Sequence, residues 1–122
     1  PSILEKIKPR QPEWSVSAPA QEAGAEAIRN LSYFEKTWKT VISMTEDFRS
    51  DIETAGYMTY PTGSNFFLVK VPDLEALKKA LWDELILVRD CTSFGLNNIM
   101  RLGTRSKEDN ARLLEVLRRE KK

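Results

Sequence analysis

The chain has 122 residues, of which 41% are hydrophobic and 30% are charged, and its net charge is +1. This length suits one globular domain, and the near balance of 19 basic and 18 acidic residues argues against nucleic acid as a partner, because phosphate binding needs a surplus of cations. The chain contains no histidine, which excludes Ser-His and Cys-His nucleophiles within it.

The single cysteine, Cys91, cannot form a disulfide within the chain, which favours a reducing cytoplasmic compartment. Because histidine is absent and no second cysteine is present, the sequence also predicts no metal site. No apolar run approaches the roughly 20 residues of a membrane-spanning helix, so we expect no membrane partner.

The N-terminal half is predicted to be helical after an extended lead-in, residues 1–17, which carries a short helix over Ile3–Lys8. A first full helix is predicted from Ala18, with a small, closely packed face formed by Ala20, Ala23, Ala27 and Leu31. A second, longer helix is predicted from an N-cap at Ser32 to Gly56. Its apolar face consists of Phe34, Trp38, Val41, Ile42, Thr45, Phe48 and Ile52.

Two strands are predicted next, Tyr57–Tyr60 and Asn65–Val71, separated by a turn over residues 61–64 that contains proline and glycine. Asp73 then starts a helix whose apolar residues are Leu74, Leu77, Ala80 and Leu81.

The C-terminal third begins with the continuous apolar run Leu85–Val88, which favours a buried strand. A loop over Cys91–Asn98, a strand over Ile99–Leu102 and a final helix with its N-cap at Ser106 follow; that helix buries Leu113, Leu114 and Leu117. This order predicts an α+β fold, a two-layer small domain in which helices cover one face of a small, mostly antiparallel sheet.

Two arginines stand in apolar strand sequence, Arg89 after Val88 and Arg101 inside the last strand. A guanidinium in such a place needs an anion, because a buried unpaired cation is costly. One interpretation is that both arginines face one pocket and bind a carboxylate or phosphate. The alternative is that each pairs with an acid of its own chain, such as Asp90 or Glu84.

Asn65 begins the second strand, where its amide is able either to contact a ligand or to satisfy the backbone of the turn. Cys91 stands close to Arg89, a neighbour that favours the thiolate, but a lone cysteine is more often a packing residue. Composition and spacing alone do not identify a reaction.

Four stretches form a recognisable series along the chain: Arg10–Ser17, Ser64–Val69, Leu87–Cys91 with Phe94–Leu96, and Arg101–Arg105 with Glu108–Asn110. In this order they resemble the C-terminal small domain of class I and II aminotransferase-fold enzymes that depend on pyridoxal phosphate (PLP). The third stretch is similar to the threonine-phosphate decarboxylase branch, a relative of the histidinol-phosphate aminotransferases.

This resemblance implies that Arg101 binds a substrate carboxylate, that Arg89 helps bind a substrate phosphate, and that Asn65 makes a weaker contact. It implies further that the Schiff-base lysine and the PLP-binding groups belong to a large domain upstream, which would be a partner of this chain. We therefore expect residues 1–17 to be a linker and residues 18–122 the small domain. We expect no catalytic residue here, no PLP bound to the isolated chain, and a homodimer for the whole protein.

The leading hypothesis is the substrate-binding domain of a PLP enzyme that acts on a phosphorylated amino acid, in cobalamin biosynthesis if the decarboxylase likeness holds. The alternatives are a histidinol-phosphate-type aminotransferase domain and a non-catalytic binding module that has the same fold.

Overall fold

The chain divides into two units, Pro1–Thr37 and Trp38–Lys122, and the computed structural model describes residues 2–11 and 16–121. Residues 12–15 of the predicted lead-in, with the part of the Arg10–Ser17 likeness that they carry, lie outside the described residues. The domain boundary expected after residue 17 stays a prediction.

The N-terminal unit contains helix α1, Ile3–Ile7, a 3-10 turn over Lys8–Arg10, and helix α2, Ala18–Arg29. A capping box starts α1: the Ser2 hydroxyl accepts from the N–H of Glu5, and the Glu5 carboxylate accepts from the N–H of Ser2. No residue of α2 is buried, so the prediction of a closely packed alanine face is wrong for the described residues. Alanine favours this helix through its intrinsic propensity instead.

Helix α3 covers Leu31–Thr54 and begins one residue before the predicted cap. Only the C-terminal part of the predicted apolar face is buried, because Trp38 is 56% and Ile42 is 41% exposed. The predicted end at Gly56 is confirmed: its φ is +85°, and the N–H groups of Gly56 and Tyr57 donate to the carbonyls of Glu53 and Ile52. This is the double hydrogen bond of a helix that ends in a left-handed residue.

Four antiparallel strands form one sheet in the order β1-β2-β4-β3. Strand β1 covers Met58–Pro61 and β2 covers Phe66–Lys70; β3 is the short pair Arg89–Asp90, and β4 covers Ile99–Gly103. Helix α4, Leu74–Asp83, joins β2 to β3, and helix α5, Lys107–Glu120, follows β4. The helix starts predicted at Asp73 and Ser106 are confirmed, since the side chains of these residues accept hydrogen bonds from the N–H groups of Ala76 and Asp109. The N-cap predicted at Ser32 is wrong, because α3 already includes Leu31.

One face of the sheet forms the core with the helices. The Phe67 ring on β2 packs edge-on against Phe48 of α3, with 5.5 Å between centroids. Apolar residues buried in this layer are Ile52, Val69, Leu74, Leu77, Leu81, Met100, Leu102, Leu113, Leu114 and Leu117. The predicted α+β fold is therefore confirmed.

The predicted buried strand over Leu85–Val88 is wrong. The N–H groups of Leu85 and Ile86 donate to the carbonyls of Trp82 and Leu81, both at 2.8 Å, so this segment first closes the end of α4. Leu85 has a φ of +57°, which no strand allows, and Leu85 and Leu87 are 87% and 77% exposed. Pairing begins only at Arg89.

Within residues 2–11 and 16–121, no helix has both the length and the apolar character needed to cross a membrane. The same residues contain no cluster of three or more His, Cys, Asp and Glu side chains arranged to hold a metal ion.

Candidate functional site

Arg89 and Arg101 are direct partners across strands β3 and β4. Side chains that are directly opposite in an antiparallel pair project from the same face, so both guanidinium groups leave the sheet on one side. Met100 and Leu102, the neighbours of Arg101 along β4, are buried on the other face. The two arginines therefore lie on the sheet face that is opposite the core.

Both arginines line one open groove of about 790 Å³, and Asn65 lines it with them. The structure thus brings together the three residues that the sequence singled out for substrate binding. Arg105 and Arg112 also line the groove, whereas Asp109 is the only carboxylate among its lining residues. The wall of the groove is strongly cationic.

The acids that were considered as internal partners of the arginines are engaged elsewhere. Asp90 pairs with Lys78 at 2.9 Å, and Glu84 pairs with Arg119 at 3.1 Å. Across residues 2–11 and 16–121, no carboxylate lies within ion-pair distance of Arg89 or Arg101. The alternative of pairing with Asp90 or Glu84 therefore does not describe this chain.

Each of these two arginines packs against an aromatic ring instead. The guanidinium carbon of Arg89 lies 5.2 Å from the ring centroid of Phe94, and that of Arg101 lies 5.1 Å from the ring centroid of Phe66. Both distances are within the range of cation–π attraction. Arg89 also donates to the hydroxyl of Ser93 at 3.2 Å.

Sequence reasoning did not predict these aromatic and hydroxyl neighbours. Phe66 and Arg101 can be assigned to the same face of the sheet only when the register of β2 and β4 is known. The contact between Phe94 and Arg89 depends on the tight turn over Thr92–Phe94. The signal that was available was the proximity of Ser93 and Phe94 to Arg89 in the chain.

Asn65 links the ends of two strands. Its backbone carbonyl accepts from the N–H of Thr104 at 2.9 Å, and its side-chain oxygen accepts from the Ser64 hydroxyl at 3.2 Å. The residue is exposed and is one of those that line the groove. Cys91 is a free, buried thiol that does not line the groove, and it packs with its sulfur 3.8 Å from the carbonyl of Arg89.

The remaining arginines of the groove are held within the protein. Arg105 pairs with Asp109 at 3.2 Å, and Arg112 donates to the carbonyl of Glu84 at 3.1 Å, which ties α5 to the end of α4. Because Arg89 and Arg101 have no such acid or carbonyl, they are the guanidinium groups best placed to bind an external anion.

The amino-acid sequence agrees with a known family over almost its full length. Residues 1–117 match the sequence model of the aminotransferase class I and II family. The chain belongs to this family. Its members are PLP-dependent enzymes, and their small domains have the α+β fold seen here.

Similar members of the family include two phosphate-substrate enzymes. A protein of Caldanaerobacter subterraneus subsp. tengcongensis, provisionally named a threonine-phosphate decarboxylase, is 29% identical over 97% of this chain and 34% of its own length. Histidinol-phosphate aminotransferase 2 of Archaeoglobus fulgidus is 30% identical over 95% of this chain and 34% of its own length. The chain thus spans about a third of the curated relatives that it matches.

Among solved structures, L-threonine-O-3-phosphate decarboxylase from Porphyromonas gingivalis superposes with a TM-score of 0.68 and 25% identity. The match covers 96% of this chain and 38% of that protein. The α+β small-domain fold is therefore shared with a class I and II enzyme.

The groove of this family member does not fit the covalent attachment of PLP. A Schiff base needs a lysine amine, and no lysine is among the residues that line the groove.

Proposed function

We propose that this chain is the substrate-binding small domain of a PLP-dependent enzyme that acts on a phosphorylated amino acid, with O-phosphothreonine as substrate and decarboxylation as the reaction. The observation that carries this proposal is the cross-strand pair of Arg89 and Arg101, which face one groove without a carboxylate of their own. The likeness to threonine-phosphate decarboxylases supports the choice of reaction.

The chemistry of this substrate matches two arginines. O-Phosphothreonine carries a phosphate and a carboxylate on neighbouring carbons, and each anion offers oxygens for a planar guanidinium fork. In the proposed arrangement Arg101 takes the α-carboxylate, Arg89 helps hold the phosphate, and Asn65 makes a weaker contact. Two fixed anions determine the orientation of the α-carbon between them.

PLP, when bound to the whole enzyme, supplies the electron sink for the reaction. The task of this chain is to set which bond of the α-carbon is presented for cleavage, and Arg101 does this by holding the carboxylate. We further propose that the intact enzyme is a cytoplasmic homodimer of cobalamin biosynthesis and that this chain alone is inactive.

A histidinol-phosphate-type aminotransferase is the second candidate, favoured by the 30% identity to the Archaeoglobus fulgidus enzyme. Histidinol phosphate has a phosphate but no carboxylate, so this reading would assign both arginines to one phosphate. The two candidates therefore differ in whether the phosphorylated substrate carries a carboxylate.

The deciding experiment uses the intact protein that carries this chain, loaded with PLP. It is incubated with O-phosphothreonine and assayed for aminopropanol phosphate, and separately with histidinol phosphate and 2-oxoglutarate and assayed for glutamate. We expect the first product. Glutamate alone would establish the second candidate, and neither product would favour a binding module without catalysis.

Arg101→Ala tests the role of the arginine in the same assay. We expect the variant to keep its PLP and to lose about ten- to a hundredfold in kcat/KM, the value of a charged hydrogen-bonded contact. Arg118→Ala, which changes an exposed arginine near the end of α5 outside the groove, is the matched control and should behave as wild type. Unchanged kinetics for Arg101→Ala would remove this residue from the site.

A further inference from the structure

We propose that Phe94 and Phe66 are positioning residues of the anion site: each ring holds one guanidinium by cation–π attraction and so restrains it without an ion pair to an acid of the chain. This inference rests on the proposed function, because it assigns the part of the site that holds Arg89 and Arg101 in place.

The backbone around Phe94 is built to bring its ring back to Arg89. A 3-10 turn over Thr92–Phe94 is closed by hydrogen bonds from the N–H of Phe94 to Cys91 and from the N–H of Gly95 to Thr92, both at 2.9 Å. Gly95 then takes a left-handed conformation with a φ of +78°. The turn therefore places the ring five residues along the chain against the guanidinium of Arg89.

Burial does not explain the position of this ring, since Phe94 is 63% exposed. An exposed phenylalanine gains little from the hydrophobic effect, so its defined contact is with the cation 5.2 Å away. Ser93 in the same turn accepts one N–H of Arg89 at 3.2 Å, which fixes the rotation of the guanidinium. One short turn thus restrains Arg89 in two directions.

Phe66 reaches Arg101 through the sheet register. Leu68 is the direct partner of Arg101, and Phe66 is the diagonal neighbour on the same face, opposite Gly103. The ring centroid of Phe66 lies 5.1 Å from the guanidinium carbon of Arg101. Strand β2 therefore places an aromatic ring beside Arg101, as the turn places one beside Arg89.

The two rings resolve a physical difficulty in this site. Two like charges on directly opposed residues repel each other and drive long side chains apart into solvent. A ring beside each guanidinium opposes that movement by cation–π attraction and brings no carboxylate that would compete with the external anion. The arginines are then already ordered when the anion arrives, which lowers the entropy cost of binding.

Binding of inorganic phosphate to the intact protein, measured by titration calorimetry at low ionic strength, tests this inference. Removing a partly exposed cation–π contact should weaken the arginine-dependent binding about two- to fivefold in Phe94→Leu. Phe94→Tyr keeps an aromatic face and should restore the wild-type affinity. Trp82→Leu removes an exposed ring of α4 that is not part of the groove and is the matched control.

The outcomes separate this inference from the function on which it rests. Arg89→Gln that binds phosphate as tightly as wild type would overturn both. Weaker binding in Arg89→Gln together with wild-type affinity in Phe94→Leu would overturn the positioning role alone, as would a Phe94→Tyr variant that is as weak as Phe94→Leu. Phe94 is the primary test because its exposure makes a folding defect a poor explanation; Phe66→Leu, at a half-buried position, repeats the test where its thermal unfolding matches wild type.

Discussion

Asp90 and Lys78 form an ion pair, with 2.9 Å between the carboxylate Oδ2 and the ammonium Nζ. The other carboxylate oxygen of Asp90 accepts from the backbone N–H of Thr92 at 2.8 Å. Because successive side chains of a strand point to opposite faces, Asp90 binds Lys78 while its neighbour Arg89 remains available to the groove. This arrangement keeps the nearest acid away from the anion site.

We expect the Asp90→Asn substitution to remove part of the decrease in unfolding free energy that occurs as the pH falls. Hydrogen bonds from Thr92, and after them from Lys78, hold the pKa of the Asp90 carboxyl below its ordinary value. A depressed folded-state pKa contributes stability above the unfolded-state pKa, and that contribution is lost as pH falls through the folded value. The difference in unfolding free energy between wild type and variant should be constant above about pH 5 and shrink below about pH 4.

Urea unfolding across this pH range measures the effect, with Asp83→Asn as the control. Asp83 is exposed at the end of α4, and no ion pair of the described residues involves it. Its variant should follow the wild-type pH curve. A deficit in Asp90→Asn that stayed constant down to about pH 2 would show that Asp90 has no depressed pKa.

A double-mutant cycle with Arg89→Gln and Arg101→Gln should reveal repulsion between the two arginines. Like charges directly across a strand pair destabilise the fold, so Arg89→Gln should be less harmful in wild type than in the Arg101→Gln background, by about 0.2–1 kcal/mol. The cycle isolates this energy from the loss of the Phe94 contact, which occurs in both backgrounds. Chemical unfolding at low salt is the measurement, since salt screens exposed charges.

A ligand held by both guanidinium groups should change the sign of that coupling. In the proposed arrangement O-phosphothreonine contacts Arg101 with its carboxylate and Arg89 with its phosphate, so each arginine contributes more to stability when the other is present. The same cycle with O-phosphothreonine, compared with chloride at equal ionic strength, should therefore give an attractive coupling. Equal coupling in both solutions would contradict a shared ligand site.

Tyr57→Phe should lower the free energy of unfolding by about 1 kcal/mol, because it removes a buried hydrogen bond. The phenol of Tyr57 donates to the carbonyl of Leu117 at 2.8 Å and joins the start of β1 to helix α5 across 60 residues of chain. Urea unfolding measures the loss. Tyr60→Phe is the matched control and should remain near wild type, because Tyr60 is exposed and its phenol donates to the sulfur of Met58 rather than to a buried carbonyl.

Local chemistry made part of this fold predictable. The helix end at Gly56 and the caps at Asp73 and Ser106 depend on residues within five positions of each other, so the sequence indicates them directly. The pairing of Arg89 with Arg101 depends on strand register across twelve residues, and the sequence supplied only the hypothesis that their strands are neighbours. Sequence patterns predict single helices and strands, whereas the site depends on how these elements pair and pack against one another.

Leu85→Gly should raise the free energy of unfolding. This prediction follows from the segment Leu85–Val88, which the sequence predicted as a buried strand and the structure shows as the end of α4. Leu85 occupies the left-handed position that closes α4, with a φ of +57°, where a side chain costs about 1–2 kcal/mol and glycine costs nothing. Glycine loses about 0.5–1 kcal/mol more backbone entropy on folding, so the expected net gain is about 0.5–1 kcal/mol. Little packing is lost, since the Leu85 side chain is 87% exposed.

Leu87→Gly, at a similarly exposed position without a positive φ, should instead lose about 0.5–1 kcal/mol in the same urea titration, because it adds the entropy cost and relieves no strain. If both variants were destabilised alike, the left-handed end of α4 at Leu85 would be the wrong description of this segment.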